Sequence, residues 1–128
     1  MGEKILLDTN FLVAPFQFSF DIFDELEKLY PFAELYTLDD AVQEARSIEG
    51  GKYRNLVPEM MESQGVEILE TEGEGDVDDL VVESSDEFKV ATNDKELKRR
   101  LKKRGRPVII IRSRDHLEVE NSGRGQLG

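Results

Sequence analysis

The 128-residue sequence predicts an α/β fold: one domain built on a parallel sheet of about five strands, with helices on both faces. Three observations predict it. Short apolar runs recur along the chain, in KILLDTN, AELYTL, VEILE, FKVAT and PVIIIRS, each closed by polar residues as strands buried on both faces are. The segments between them space their apolar residues helically. Strand and helix signals alternate, and the right-handed crossover turns that alternation into a parallel sheet that binds ligands beyond the C-terminal ends of its strands.

Taken in order, KILLDTN is the first strand, and NFLVAPFQFSF after it reads as a loop. Its Phe11, Phe16, Phe18 and Phe20 have two readings, packing on the core or offering faces on which bases stack. In FDIFDELEKLY, Ile22, Phe23, Leu26, Leu29 and Tyr30 keep helical spacing until Pro31 ends it. AELYTL is the second strand, and DDAVQEARSI a helix with Ala41, Ala45 and Ile48 on one face and Thr37 or Asp39 as cap. Gly50 and Gly51 break it, and KYRNLVPEMMESQ is a further helix with Pro58 at a boundary or kink. VEILE is the third strand, TEGEGD an acidic glycine-rich loop, and VDDLVVESSDEF a helix burying Val77, Leu80, Val81 and Phe88. FKVAT, NDKELKRRLKKRG and PVIIIRS give a fourth strand, a helix stopped by Gly105 and a fifth strand. The domain is expected over residues 1–120, and the tail over 121–128 is expected to be disordered.

Composition narrows the chemistry. With no cysteine, thiolate nucleophiles, disulfides and thiolate zinc sites are excluded, and a single His116, read as a surface or strand-end residue, leaves little room for a Ser-His or multi-His site. Any metal has to be held by oxygen. No segment approaches the ~20 apolar residues of a membrane span, and MGEKILLDTN is interrupted by Asp8, so a soluble, cytoplasmic protein with no membrane partner is expected. The net charge of −11 argues against nucleic acid until its distribution is considered. Residues 1–94 hold 6 basic and 24 acidic side chains, whereas residues 95–128 hold 11 basic and 4 acidic ones. A basic end on an acidic body can make a local phosphate site.

Acidic residues lie where the crevice of such a sheet forms. Asp8 follows the first strand, Asp94 the fourth, and Asp76, Asp78 and Asp79 open the helix before it. Glu44 lies roughly 40° from Ile48 on its helix, at the edge of the apolar stripe, and can lean toward the sheet. Each has a plainer reading: Asp8 as a turn residue, Asp94 in the first turn behind a capping box of Asn93 and Glu96, Glu44 and Asp78 or Asp79 as solvated helix positions. Their joint placement is what counts. Carboxylates from four elements that converge on one crevice repel one another, and the hard cation that compensates them with all-oxygen ligands is Mg²⁺ or Mn²⁺.

The set DTN at 8–10, Glu44, VDDLV at 77–81 and TND at 92–94 resembles the PIN domain family, a Mg²⁺- or Mn²⁺-dependent ribonuclease fold. The stretches NFLVAPFQFSFDIFDELEKL and VATNDKELKRRLKKRG are similar to the branch that includes the eukaryotic small-subunit processome endonuclease and its archaeal relatives, linked to ribosomal RNA maturation. The resemblance implies a PIN-like three-layer α/β/α sandwich and a metal-dependent endoribonuclease. It implies Asp8, Glu44, Asp78 and Asp94 as the catalytic, metal-holding quartet, with Asp39, Asp40 and Glu49 nearby as alternatives to Glu44 and Asp79 as rival to Asp78, and Asn10 and Thr92 as polar neighbours that orient the site. Its partners would be precursor ribosomal RNA and ribosome-assembly proteins; self-association into a homo-oligomer is left open.

In KELKRRLKKRGR, Leu97 and Leu101 keep i,i+4 spacing on a buried side. Lys95, Lys98, Arg99, Arg100, Lys102, Lys103 and Arg106 are then free for RNA phosphates, or form a solvated face. Three other functions compete: a PIN fold that binds RNA or an assembly factor without cutting, a toxin nuclease of a toxin-antitoxin pair, and a phospho-accepting receiver domain. The last lacks an Asp after the third strand and a Lys after the fifth.

Overall fold

The computed structural model describes residues 2–71 and 75–121. Part of the acidic loop TEGEGD and nearly all of the tail expected to be disordered lie outside them. Six strands form one sheet in the order β3-β2-β1-β4-β5-β6. They are β1 (Lys4–Leu7), β2 (Glu34–Leu38), β3 (Glu67–Leu69), β4 (Lys89–Ala91), β5 (Val108–Arg112) and β6 (His116–Glu120). The first five pair in parallel, as expected, and β6 runs antiparallel along β5. The helices are α1 (Thr9–Gln17), α2 (Ile22–Leu29), α3 (Asp39–Ser47), α4 (Leu56–Gln64), α5 (Val77–Ser84) and α6 (Lys95–Lys103). The three-layer α/β/α reading therefore holds, with one more strand and one more helix than the sequence announced.

The extra strand follows a tight turn in which Ser113 and Arg114 both take positive φ, at 56° and 61°. A hairpin of that kind is normally signalled by Gly or Asn, and here neither is present. The extra helix, α1, replaces the expected loop. It carries Pro15 and buries Phe11, Leu12, Val13 and Ala14 in succession, so it shows none of the amphipathic period by which helices are recognised. Phe11 belongs to the core, whereas Phe16 stacks on Tyr53 with ring centroids 5.8 Å apart and Phe18 lies under the Arg114 guanidinium.

Smaller differences concern ends. Pro58 is the third residue of α4, inside the first turn, where its missing N–H leaves no helical bond unmade. The expected caps of α3 do other work: the Thr37 hydroxyl donates to the Leu7 carbonyl, and the Asp39 carboxylate accepts from the backbone of Asp40 and Thr71. The N-cap of α6 is Asp94, whose Oδ1 accepts from the Leu97 N–H at 2.8 Å. The capping box of Asn93 and Glu96 is not formed. The Asn93 side chain instead bonds both backbone groups of Ile111.

Ile5, Leu6, Leu7, Val90, Ala91 and Val108 to Ile110 form the buried centre of the sheet, covered by Phe11, Leu12, Ile22 and Leu26 on one side and by Leu97 and Leu101 of α6. Each fully buried Leu, Ile or Phe among them contributes about 1.5–3 kcal/mol from burial alone. The chain leaves β1 toward β2 and leaves β4 toward β5 on the opposite side. The strand order thus reverses between β1 and β4, which opens a crevice at their C-terminal ends. No helix among the described residues is long and apolar enough to cross a membrane.

Candidate functional site

A cleft of about 690 Å³ opens at that reversal. Asp8, Asn10, Glu44, Asp78 and Asp94 line it, joined by Asp40 and Asp76. Four elements and the end of β1 deliver these side chains, and the strand ladders fix the central pair. The Asp8 N–H donates to the Ala91 carbonyl at 3.0 Å, which carries the β1–β4 pairing one residue further. In the same way the Thr92 N–H donates to the Ile109 carbonyl at 3.0 Å, carrying β4–β5 forward.

A polar network then aims the carboxylates. Asp8 Oδ2 accepts from the Thr92 hydroxyl at 2.7 Å and from the Asn10 amide at 3.4 Å. The Thr92 oxygen in turn accepts from the Asp94 N–H at 3.1 Å, and Asn10 Oδ1 accepts from the Asn93 N–H, also at 3.1 Å. The Thr9 hydroxyl donates to Glu44 Oε1 at 2.7 Å. Asn10 and Thr92 therefore stand where they orient Asp8. Among the described residues, Glu44 and Asp94 each spend one oxygen on positioning and keep the other without a side-chain partner, whereas Asp8 also accepts from the Thr9 backbone.

The electrostatics follow from the crowding. Burial pushes the Asp8 carboxyl above the usual carboxylate range, and the charges of Asp94 and Glu44 push it further, against the hydrogen bonds from Thr92 and Thr9. Asp78 is raised too, by burial first and then by Asp94, Asp8 and Asp76, with Arg100 pulling the other way. Such a site favours protons or cations over bare carboxylates. The donors, all oxygen and mostly carboxylate, suit a hard divalent cation, and each free oxygen is available to one. As the side chains stand, no three carboxylates among the described residues close around a single ion.

Two candidate sets change on inspection. Asp78 lines the cleft and Asp79 does not; the Asp79 carboxylate lies 2.6 Å from an Arg100 nitrogen on α6. Asp76, read among the acidic residues at the crevice, and Asp40, read as an alternative close to Glu44, line the cleft as well.

Of the basic residues, Arg99 pairs with Glu96, Arg100 with Asp79, Lys102 with Glu120, and Arg106 with Asp86, where Arg104 joins it. None of the ion pairs among the described residues includes Lys95, Lys98 or Lys103. The basic run is thus partly neutralised by the chain's own acids, with three lysines left over. His116 sits on β6 between Asp115 and Glu118 and does not line the cleft.

Comparison with known proteins agrees with this geometry. A comparison with curated proteins finds no match. Among solved structures the chain is similar to one described as the structure of the PIN domain endonuclease Utp24, with a TM-score of 0.74 and 26% identity over 91% of this chain and 90% of that one. The family described as PIN like domain matches residues 5–114, which span every strand up to β5 and all six helices. With the strand order, the acid-lined crevice and this match in agreement, the chain belongs to the PIN-like domain family.

Proposed function

We propose that the protein is a divalent-metal-dependent endoribonuclease that acts in ribosomal RNA maturation. One observation carries the reading: carboxylates from separate elements, Asp8, Glu44, Asp78 and Asp94, meet in one cleft, with Asp8 and Asp78 raised by burial first and then by the neighbouring carboxylates. The likeness to an endonuclease of the same fold supports phosphodiester hydrolysis. The resemblance of residues 10–29 and 90–105 to the small-subunit processome branch supports precursor ribosomal RNA as substrate, with assembly proteins as partners.

Asp8, Glu44, Asp78 and Asp94 are the residues that would hold Mg²⁺ or Mn²⁺. When bound there, the cation supplies Lewis acidity and activates water without a His base. The protein's own residues do the positioning. Thr92 and Asn10 fix the face that Asp8 presents, Thr9 fixes Glu44, and the first turn of α6 holds Asp94. Without a cation this cleft repels a phosphodiester, so substrate binding and metal loading are coupled. Lys95, Lys98 and Lys103 are the side chains available to phosphates further along the strand.

Purified protein incubated with precursor ribosomal RNA, in Mn²⁺ or in chelator, tests the reading. Asp8→Asn and Asp94→Asn are each expected to lower metal-dependent cleavage by ~10²-fold or more with the fold intact. Full activity in both variants overturns it. A second reading, an RNA-binding module that does not cut, draws on Lys95, Lys98 and Lys103, which no ion pair among the described residues includes. It is favoured if RNA binds and no new ends form under any divalent cation.

A further inference from the structure

The end of the sheet opposite the cleft presents an aromatic side chain that the fold holds in place and does not bury. Phe32 lies in the turn before β2, beside Gly2 and Glu3 at the start of β1, about 16 Å along the sheet from Asp8. It is 80% exposed, the most open of the large hydrophobic side chains among the described residues. Its backbone takes a φ of 63°, a left-handed conformation that bulky residues seldom adopt. Three bonds hold the turn: the Phe32 N–H donates to Glu27 Oε2 at 3.1 Å, the Ala33 N–H to the Tyr30 carbonyl at 3.2 Å, and the Glu34 N–H to the Glu3 carbonyl at 2.8 Å. Gly2 packs so closely here that a Cβ on it would stand 2.0 Å from the Phe32 carbonyl oxygen. Next to Phe32, the side chains of Phe23, Leu26, Ala33 and Leu35 line a hollow of about 120 Å³, with Glu27 and Gln64 completing its wall.

We propose that Phe32 and this hollow dock a protein partner through a basic segment: one apolar side chain of the partner enters the hollow against Phe32, and its Lys or Arg residues meet Glu27 and Glu34. This docking does not depend on the chemistry of the cleft. A turn built for stability alone would place glycine at a φ of 63° and would gain nothing from an aromatic ring left in water, so strain and exposure together point to an anchor for another molecule. Charge then selects the class. None of the ion pairs among the described residues includes Glu27 or Glu34, whereas the basic neighbours are already paired, Lys28 with Asp24 and Glu25, and Lys89 with Glu3. The surplus around the hollow is therefore negative. It repels RNA phosphates, and in a two-fold dimer of this chain it would face itself. A basic segment answers it, and the hollow is small enough that one aliphatic side chain fills it. Because the surface lies at the N-terminal ends of β1 and β2, its occupant leaves the crevice at the C-terminal ends open.

The full chain, labelled with ¹⁵N and kept in excess Mg²⁺, is titrated with three short synthetic peptides: a central Leu flanked by Lys and Arg, the same peptide with Ser for Leu, and the same peptide with Glu for every Lys and Arg. The basic Leu peptide is expected to shift the amides of Gly2, Glu3, Glu27 and residues 32–35, to bind ~10-fold tighter than the Ser peptide, and the Glu peptide is expected not to bind. Phe32→Ala and Phe32→Gly are each expected to weaken the basic Leu peptide ~10-fold, and Glu27→Gln with Glu34→Gln to weaken it by several-fold. Phe32→Gly is also expected to melt at or above the native protein, because glycine accepts the left-handed turn, so that its lost binding is not lost folding. Equal binding of the Leu and Ser peptides, no binding of either, shifts confined to the cleft, or unchanged binding by both Phe32 variants overturns the proposal. A dimer in sedimentation that Phe32→Ala dissociates overturns it in favour of a second copy of this chain, and an RNA hexamer that shifts the same amides overturns it in favour of nucleic acid. No step reads cleavage, so failure here leaves the nuclease reading standing, and failure of that reading leaves the docking measurable.

Discussion

The cleft between β1 and β4 and the surface made by α5, α6 and β6 are built from the same acidic residue types and behave in opposite ways. In the cleft, burial first and then the facing carboxylates raise the pKa values of Asp8 and Asp78. On the surface, hydrogen bonds from Arg104 and Arg106 lower Asp86, one from Arg99 lowers Glu96, and one from Lys102 lowers Glu120. The difference teaches where this chain keeps its unanswered charge. Nearly every arginine of the basic segment is paired with an acid of its own chain, and none of them is spent on Asp8, Glu44 or Asp94. A strongly acidic protein has concentrated its electrostatic strain at one place, which is what a cation-dependent site requires.

The sharpest way to break this contrast is at adjacent residues. Asp78→Asn is expected to lower metal-dependent RNA cleavage by ~10²-fold, and Asp79→Asn by less than about 3-fold, since only Asp78 faces the cleft. Equal losses in single-turnover assays would erase the distinction between the two regions. Next in size is RNA affinity. Changing Lys95, Lys98 and Lys103 together to Gln is expected to reduce the salt slope of binding by up to about three units, while Arg99→Gln, already paired with Glu96, changes it by less than one. A larger effect from Arg99 would show that its ion pair opens on RNA binding.

Stability should separate the regions by sign. Asp78 has a folded pKa above its unfolded value, so in the metal-free protein it costs stability near neutral pH, and the cost is relieved as pH falls through the raised folded pKa. Asp78→Asn is therefore expected to raise the melting temperature in chelator at pH 7, with an advantage that shrinks in acid, and to lower the added stabilisation by Mn²⁺. A metal-free variant that melts below the native protein refutes the strain. Smallest is Asp86→Asn. The folded pKa of Asp86 is depressed, so its contribution is present above the unfolded pKa and lost as pH falls through the folded one. Because the residue is exposed, the expected drop in melting temperature at pH 7 is about a degree or less, vanishing in strong acid and in high salt.

What the sequence disclosed follows the same physics. Runs such as KILL and VIII must be buried on both sides wherever they go, and that need is local, so the five parallel strands were legible. Asp8 and Asp94 were legible for the same reason, as polar residues that end such runs. Asp78 could not be told from Asp79, because the two differ only in which way a helix turns relative to Arg100, twenty-one positions after Asp79. The pairing of the basic segment was hidden for the same reason. Arg106 finds Asp86 and Lys102 finds Glu120, and nothing local marks these partners. α1 was hidden because continuous burial erases periodicity, and β6 because Ser113 and Arg114 adopt a turn that other residues usually make.

The bond between Asn93 and Ile111 gives the chain a schedule. The Asn93 amide group takes the place of a strand neighbour, donating to the Ile111 carbonyl and accepting from its N–H, and the next residue is Asp94. During synthesis Asp8, Glu44, Asp78 and Asp94 all emerge before Ile111, yet the anchor that sets Asp94 is absent until β5 has been made and docked. A growing chain thus carries the local bonds from Thr9, Asn10, Thr92 and Leu97 early, but the tie that fixes where the turn into Asp94 sits against the sheet comes only with β5.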